Sequence, residues 1–168
     1  MNLIWRRLRL HPAVLFASCL SLVLLSGCVS MSGGTSSVRE LHLFGVPVAI
    51  NLDKVAGADG FAIRVYASDG DSPSGQAIRA GQLDILLYDG TPSDEDRAKL
   101  TPLKSWSYDP RQLRRFAART SIGWGYGFTP GWGTARPAQD RFTVVVRWVG
   151  PDRTTVSSAP SVISMTIR

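Results

Sequence analysis

The chain has 168 residues, with 19 Lys and Arg against 13 Asp and Glu and a formal net charge of +6 at neutral pH. Arg6, Arg7 and Arg9 supply three of those basic residues, so residues 28–168 carry only +3 and lack the basic density of a nucleic-acid-binding protein. Two cysteines, Cys19 and Cys28, and a single histidine after residue 28, His42, exclude a disulfide scaffold and argue against a His/Cys metal cluster.

The amino terminus places Arg6, Arg7 and Arg9 ahead of an apolar run from Pro12 to Leu25, which closes on Leu25-Ser26-Gly27-Cys28. These are the basic, apolar and small-residue sections of a secretory leader. The run is about fourteen residues, short of the ~20 that cross a bilayer as a helix. Its Leu-Ser-Gly-Cys ending resembles the lipobox of bacterial lipoproteins. That resemblance implies that the Cys28 thiol receives a diacylglyceryl group, that residues 1–27 are removed, and that the new amino terminus is acylated. Cys19 would leave with the leader, so no disulfide forms within the mature chain. Val29 and Ser30, in place of an Asp after the cysteine, resemble lipoproteins sorted to the outer rather than the inner membrane of two-membrane bacteria. The expected location is the cell envelope, with the membrane as first partner.

Residues 28–40 read as the lipidated Cys followed by a flexible tether, Val29 to Ser37 being rich in Ser, Gly and Thr. At ~5–6 Å × √n, about ten such residues reach under ~20 Å. Residues 41–168 form one domain of ordinary size. Its apolar residues recur with period two. Val46, Val48, Ile50 and Leu52 predict a half-buried strand, and Phe61, Ile63 and Val65 a second, with Ala56-Gly57-Ala58-Asp59-Gly60 turning between them. Leu83, Ile85 and Leu87 set the inner face of a third, with Leu86 and Tyr88 opposite.

Two helical pieces are predicted between residues 93 and 119. Ser93 to Leu100 offers a capping Ser, early acids and late bases. Asp109 and Pro110 open a second helix running to Arg119, with Leu113, Phe116 and Ala117 on one face and Arg111, Arg115 and Arg119 on another. Leu103 to Tyr108 reads as a short strand between them. Ser121 to Phe128 alternates glycine with Trp124, Tyr126 and Phe128. Arg141 to Val149 carries Phe142, Val144, Val146 and Trp148 inward, Gly150 to Arg153 makes a turn, and 154–156 and 162–167 complete the strands. Seven or eight short strands joined by turns predict a mainly β fold, an antiparallel β-sandwich with a short helical insertion.

Chemistry-bearing constellations are sparse. His42 has no clustered acids or cysteines in sequence, and no Gly-x-Ser-x-Gly elbow occurs. Asp69-Gly70-Asp71-Ser72 begins like a calcium loop, but the twelfth position is Ala80 instead of the bidentate Glu, so these acids read as turn residues. Asp94, Glu95 and Asp96 suit a helix start without any catalytic role. Arg111, Arg115 and Arg119, with Arg114 beside them, read either as the solvated face of a helix or as a row for anionic head groups. The segment Gly123 to Gly133 admits two readings: core aromatics relieved by glycines, or an exposed platform of Trp124, Tyr126, Phe128 and Trp132 for a glycan or a protein.

The order Leu-Tyr-Asp-Gly, Trp-Ser-Tyr, Leu-Arg-Arg-Phe, Gly-Trp-Gly-Tyr and Val-Val-Val-Arg-Trp is similar to that of bacterial lipoproteins carrying transthyretin- or immunoglobulin-like sandwiches, over residues 43–167. That resemblance implies no activity and no catalytic residues. The sequence thus predicts a non-enzymatic interaction module at the membrane surface, docking an envelope protein. The alternative is a polysaccharide-binding module, with a hydrolase ranking last. No metal and no cofactor beyond the covalent lipid on Cys28 is expected.

Overall fold

The structure is a computed structural model and describes residues 38–72 and 74–166. The leader, Cys28 and residues 29–37 lie outside the described residues. The expected tether over 28–40 is too long at its end, because Val38 is buried, Arg39 donates to the Ser68 carbonyl and Glu40 already opens a strand. Among the described residues nine strands and two short helices follow in order: β1 (Glu40–Gly45), β2 (Ile63–Ser68), β3 (Gln82–Asp89), α1 (Asp94–Lys99), β4 (Lys104–Tyr108), α2 (Pro110–Leu113), β5 (Ala117–Thr120), β6 (Gly123–Phe128), β7 (Arg141–Val149), β8 (Thr155–Ser157) and β9 (Ser161–Ser164). They form two antiparallel sheets, β1-β2-β6-β5 and β4-β3-β7-β8, with β9 also pairing β7. The expected β-sandwich is therefore present.

Period-two alternation explains the packing. Ile63, Val65 and Ala67 of the first sheet meet Leu83, Ile85, Leu87, Phe142, Val144 and Val146 of the second in one buried cluster. Leu86, Tyr88 and Val145 point the other way and form a small cluster of their own. The predicted β7 inner face is observed in full, with Trp148 donating its indole N–H to the Ala80 carbonyl at 3.0 Å. Ser93 caps α1 through the Asp96 N–H. Asp109 and Gln112 make a reciprocal capping box at α2.

Two expectations require correction. Residues 46–53 do not form a strand: the chain leaves the first sheet after Gly45, and Val46 and Leu52 are largely exposed. Pro47 has no N–H to give a ladder. Instead its carbonyl accepts from Ser164 at 2.9 Å, and Ala49 donates to Ser164 at 2.7 Å. The segment thereby bridges the edge of one sheet to β9 of the other. The second helix likewise stops at Leu113 rather than Arg119. Phe116 turns inward against Phe128 and Tyr108, at centroid distances of 4.8 and 5.1 Å. Ala117 to Thr120 then pair with β6 as its outer neighbour. Burying Phe116 and completing the sheet edge outweigh the local helical preference of this stretch.

The registers define which end of the sandwich receives the tether. Glu40 lies opposite Ser68, Gly75 bridges Gly123, and Gly123 lies opposite Thr120. The start of β1, the end of β2, the start of β6 and the end of β5 therefore share one end.

Candidate functional site

The Gly/aromatic segment resolves mostly into core. Tyr126, Phe128 and Trp132 are each 2% exposed, so the platform reading is corrected for all of them. Tyr126 anchors a loop: its hydroxyl accepts the Ile78 N–H at 2.7 Å. Burial pushes that phenol above its ordinary pKa, against the lowering effect of this bond. Phe128 packs in a three-ring cluster with Phe116 and Tyr108. Trp132 meets the edge of Phe142 at 5.6 Å, while the Lys104 ammonium donates to the Gly131 and Trp132 carbonyls at 3.1 and 3.0 Å. The glycines serve the opposite face, where the Gly75 backbone crosses Gly123 and the Tyr66 ring covers Gly125.

Trp124 alone of these aromatics is accessible, at 39%. It faces an open cleft of about 450 Å³ lined also by Ile78, Arg79, Leu113, Arg114 and Tyr126. Arg119 lies directly across from Trp124 in the β5–β6 ladder, hence on the same face. The predicted arginine row is corrected: Arg111 sits in α2, Arg115 follows it, and Arg119 belongs to a strand, so the three do not share a helix face. Arg79 was not singled out by the sequence because it stands in a loop without periodicity.

A second surface lies on the outer face of the first sheet. Phe44, Arg64 and Gly127 occupy one row across β1, β2 and β6, with His42 and Tyr66 in the next. Phe44 is 58% exposed and packs edge-on to Tyr66 at 5.9 Å. A Cβ placed on Gly127 would meet nothing within 4 Å. The result is an open, mainly apolar groove of about 700 Å³ bounded by Phe44, Val46, Arg64, Tyr66 and Ile122. Arg64 makes no ion pair with a described residue, whereas His42 stands 3.5 Å from Glu40. The signal for this groove was present in Phe44, an aromatic on the parity of His42 while Leu41 and Leu43 point to the core.

One acid, Asp84, is buried. It accepts from Ser107 Oγ and Gln82 Nε2, both at 2.7 Å, and from Arg147 at 3.0 and 3.3 Å. Burial pushes the carboxyl up, but these bonds and the Arg147 charge outweigh it and hold the group below the usual range. With both oxygens committed, Asp84 is a structural clamp across β4, β3 and β7. Its depressed pKa supplies stability that is present above the unfolded value of ~3.9 and is lost as pH falls through the folded one. Asp84→Ala is expected to cost about 1–3 kcal/mol at neutral pH, since it strands the partner donors. Urea unfolding at pH 7 and pH 3 checks this: the gap between wild type and variant should shrink at pH 3, and a constant gap refutes the assignment.

Among the described residues no group of three or more His, Cys, Asp or Glu is placed to hold a metal. Asp69 accepts the Asp71 and Ser72 N–H groups within its own turn. The chain matches no protein-family model and no curated protein.

Proposed function

We propose that the chain is a lipid-anchored cell-envelope protein whose sandwich is a non-catalytic docking module for another envelope protein at the membrane surface. The observation that carries this reading is the groove on the outer face of the first sheet. An apolar, aromatic-walled channel left open in a sheet face, with Arg64, which makes no ion pair with a described residue, at its side, suits a protein segment offering an apolar side chain next to a carboxylate. Anchoring follows from the Leu25-Ser26-Gly27-Cys28 sequence; lipidation at Cys28 with two or more acyl chains gives stable attachment, each buried methylene adding ~0.8 kcal/mol.

Both halves are open to test in the living host. Cys28→Ala is expected to abolish incorporation of labelled fatty acid and to release the protein from the membrane fraction; unchanged labelling removes the anchor. A photo-crosslinking phenylalanine analogue at Phe44 is expected to give one discrete protein adduct, absent when the analogue replaces Leu100, which is exposed elsewhere. Gly127→Leu should fill the groove without disturbing the fold, and so abolish the adduct at unchanged melting temperature. An adduct that survives Gly127→Leu refutes docking in the groove.

A further inference from the structure

We infer that the cleft around Trp124 is the face by which the domain rests on its own membrane, its arginines meeting the phosphates of anionic phospholipid head groups. This rests on the anchored reading above. Its first support is where the chain enters the domain. The described residues begin at Val38, which is buried, and Arg39 donates its N–H to the Ser68 carbonyl at 2.8 Å. From Cys28 to Val38 the chain has about ten residues, a typical reach under ~20 Å. The nine residues of β7 alone run ~30 Å at ~3.3 Å each, so the typical reach of ten coil residues is less than the length of this one strand. The end that carries the start of β1 is therefore kept near the bilayer.

Its second support is what that end displays. The turn between β5 and β6 is at this end, and it presents Ile122 and Trp124, both more than a third exposed. Arg119 flanks Trp124 across the ladder, and Arg79 and Arg114 line the cleft beside it. The acids at this end are Glu40, which stands 3.5 Å from His42, and Asp69 and Asp71 of the turn after β2, where Asp69 accepts the Asp71 and Ser72 N–H groups. Beside the cleft itself, Asp109 accepts the Arg111 and Gln112 N–H groups at the cap of α2. Guanidinium groups pair with phosphate oxygens through two parallel hydrogen bonds, and an indole settles at the boundary between head groups and acyl chains. An exposed Trp with flanking arginines, held within a tether's length of phospholipid, has the composition such a surface selects. The Phe44 groove lies on the outer face of the same sheet and shares Ile122 with this surface.

The test uses the mature acylated protein, reconstituted in vesicles of phosphatidylethanolamine and phosphatidylglycerol or of phosphatidylcholine alone. Ser121→Cys places an environment-sensitive fluorophore in the β5–β6 turn, and Ala138→Cys places it on an exposed loop beside Asp89, at the opposite end of β3. Acylation is read separately from the mass of the amino-terminal peptide. The expected result is a blue-shifted emission from the position 121 probe in anionic vesicles only, lost between ~0.1 and ~1 M salt as the Debye length falls from ~10 to ~3 Å. The position 138 probe should stay solvent-like throughout. Arg114→Glu with Arg119→Glu should abolish the shift while leaving the melting temperature in place. A solvent-like 121 probe on acylated protein, or an equal shift in phosphatidylcholine, overturns the docking face and leaves the anchor standing. An unacylated amino terminus overturns both.

Discussion

Trp132→Ala is expected to destabilise the domain by about 3–5 kcal/mol, the range of large-to-small substitutions at a closed core site. For a domain of this size that is a fall in melting temperature of roughly 10–20 °C. The indole is enclosed, packs against Phe142, and sits in a loop whose N–H donates to the Asp59 carbonyl at 3.1 Å. Removing it leaves a cavity that the flanking carbonyls, held by Lys104, resist closing. Trp124→Ala, only eight residues earlier, is expected to cost under about 1 kcal/mol, because its ring is partly solvated already. Thermal unfolding of both variants separates two tryptophans that look alike in sequence. Comparable losses would mean that Trp124 is core, and the membrane-facing cleft would lose its centre.

How far the sequence speaks depends on whether local and tertiary forces agree. In β7 they do: alternation, β-branched residues and a following turn coincide, and the predicted span Arg141 to Val149 is the observed one. The Asp109-Pro110 helix start was equally legible, since capping is a local interaction. Its end was not. Leu113, Phe116 and Ala117 satisfy a helical stripe and a buried sheet edge alike, and only the open edge of β6 decides between them. Val46 to Leu52 misled for a related reason: alternation is blind to the missing Pro47 donor and to the partner strand β9, more than a hundred residues away. The candidate surfaces were harder still. Trp124 was identified, but its neighbours Arg79 and Arg114 are brought to it by a loop and a helix terminus, and the Phe44 groove exists only because Gly127 comes to lie across the sheet from Arg64.

That dependence on glycine gives a prediction with a built-in control. Gly123 has φ of +99°, a region L side chains rarely adopt, and its missing Cβ faces the Gly75 backbone. Trp124 donates to the Gly75 carbonyl at 2.8 Å and Gly75 to the Ile122 carbonyl at 2.7 Å, so the two chains are locked on either side of the position. Gly75 in turn leads into Gln76, which donates to the Ala67 carbonyl at 2.8 Å and fixes this segment against the end of β2. Gly123→Ala therefore meets backbone strain of about 1–3 kcal/mol and a clash that costs a further 1–3 kcal/mol. The expected loss is about 3 kcal/mol or more, read as an early urea midpoint. Gly127→Ala has open space and an ordinary φ, and should lie within about 0.5 kcal/mol of wild type or slightly above it. Because Gly123 also holds the turn that carries Ile122 and Trp124, residual folded Gly123→Ala protein should show a smaller blue shift of the position 121 probe in anionic vesicles than protein with Gly123 intact. Equal stability of the two variants would show that the Gly75 segment yields freely, and that the turn is not held in place by the contact drawn here.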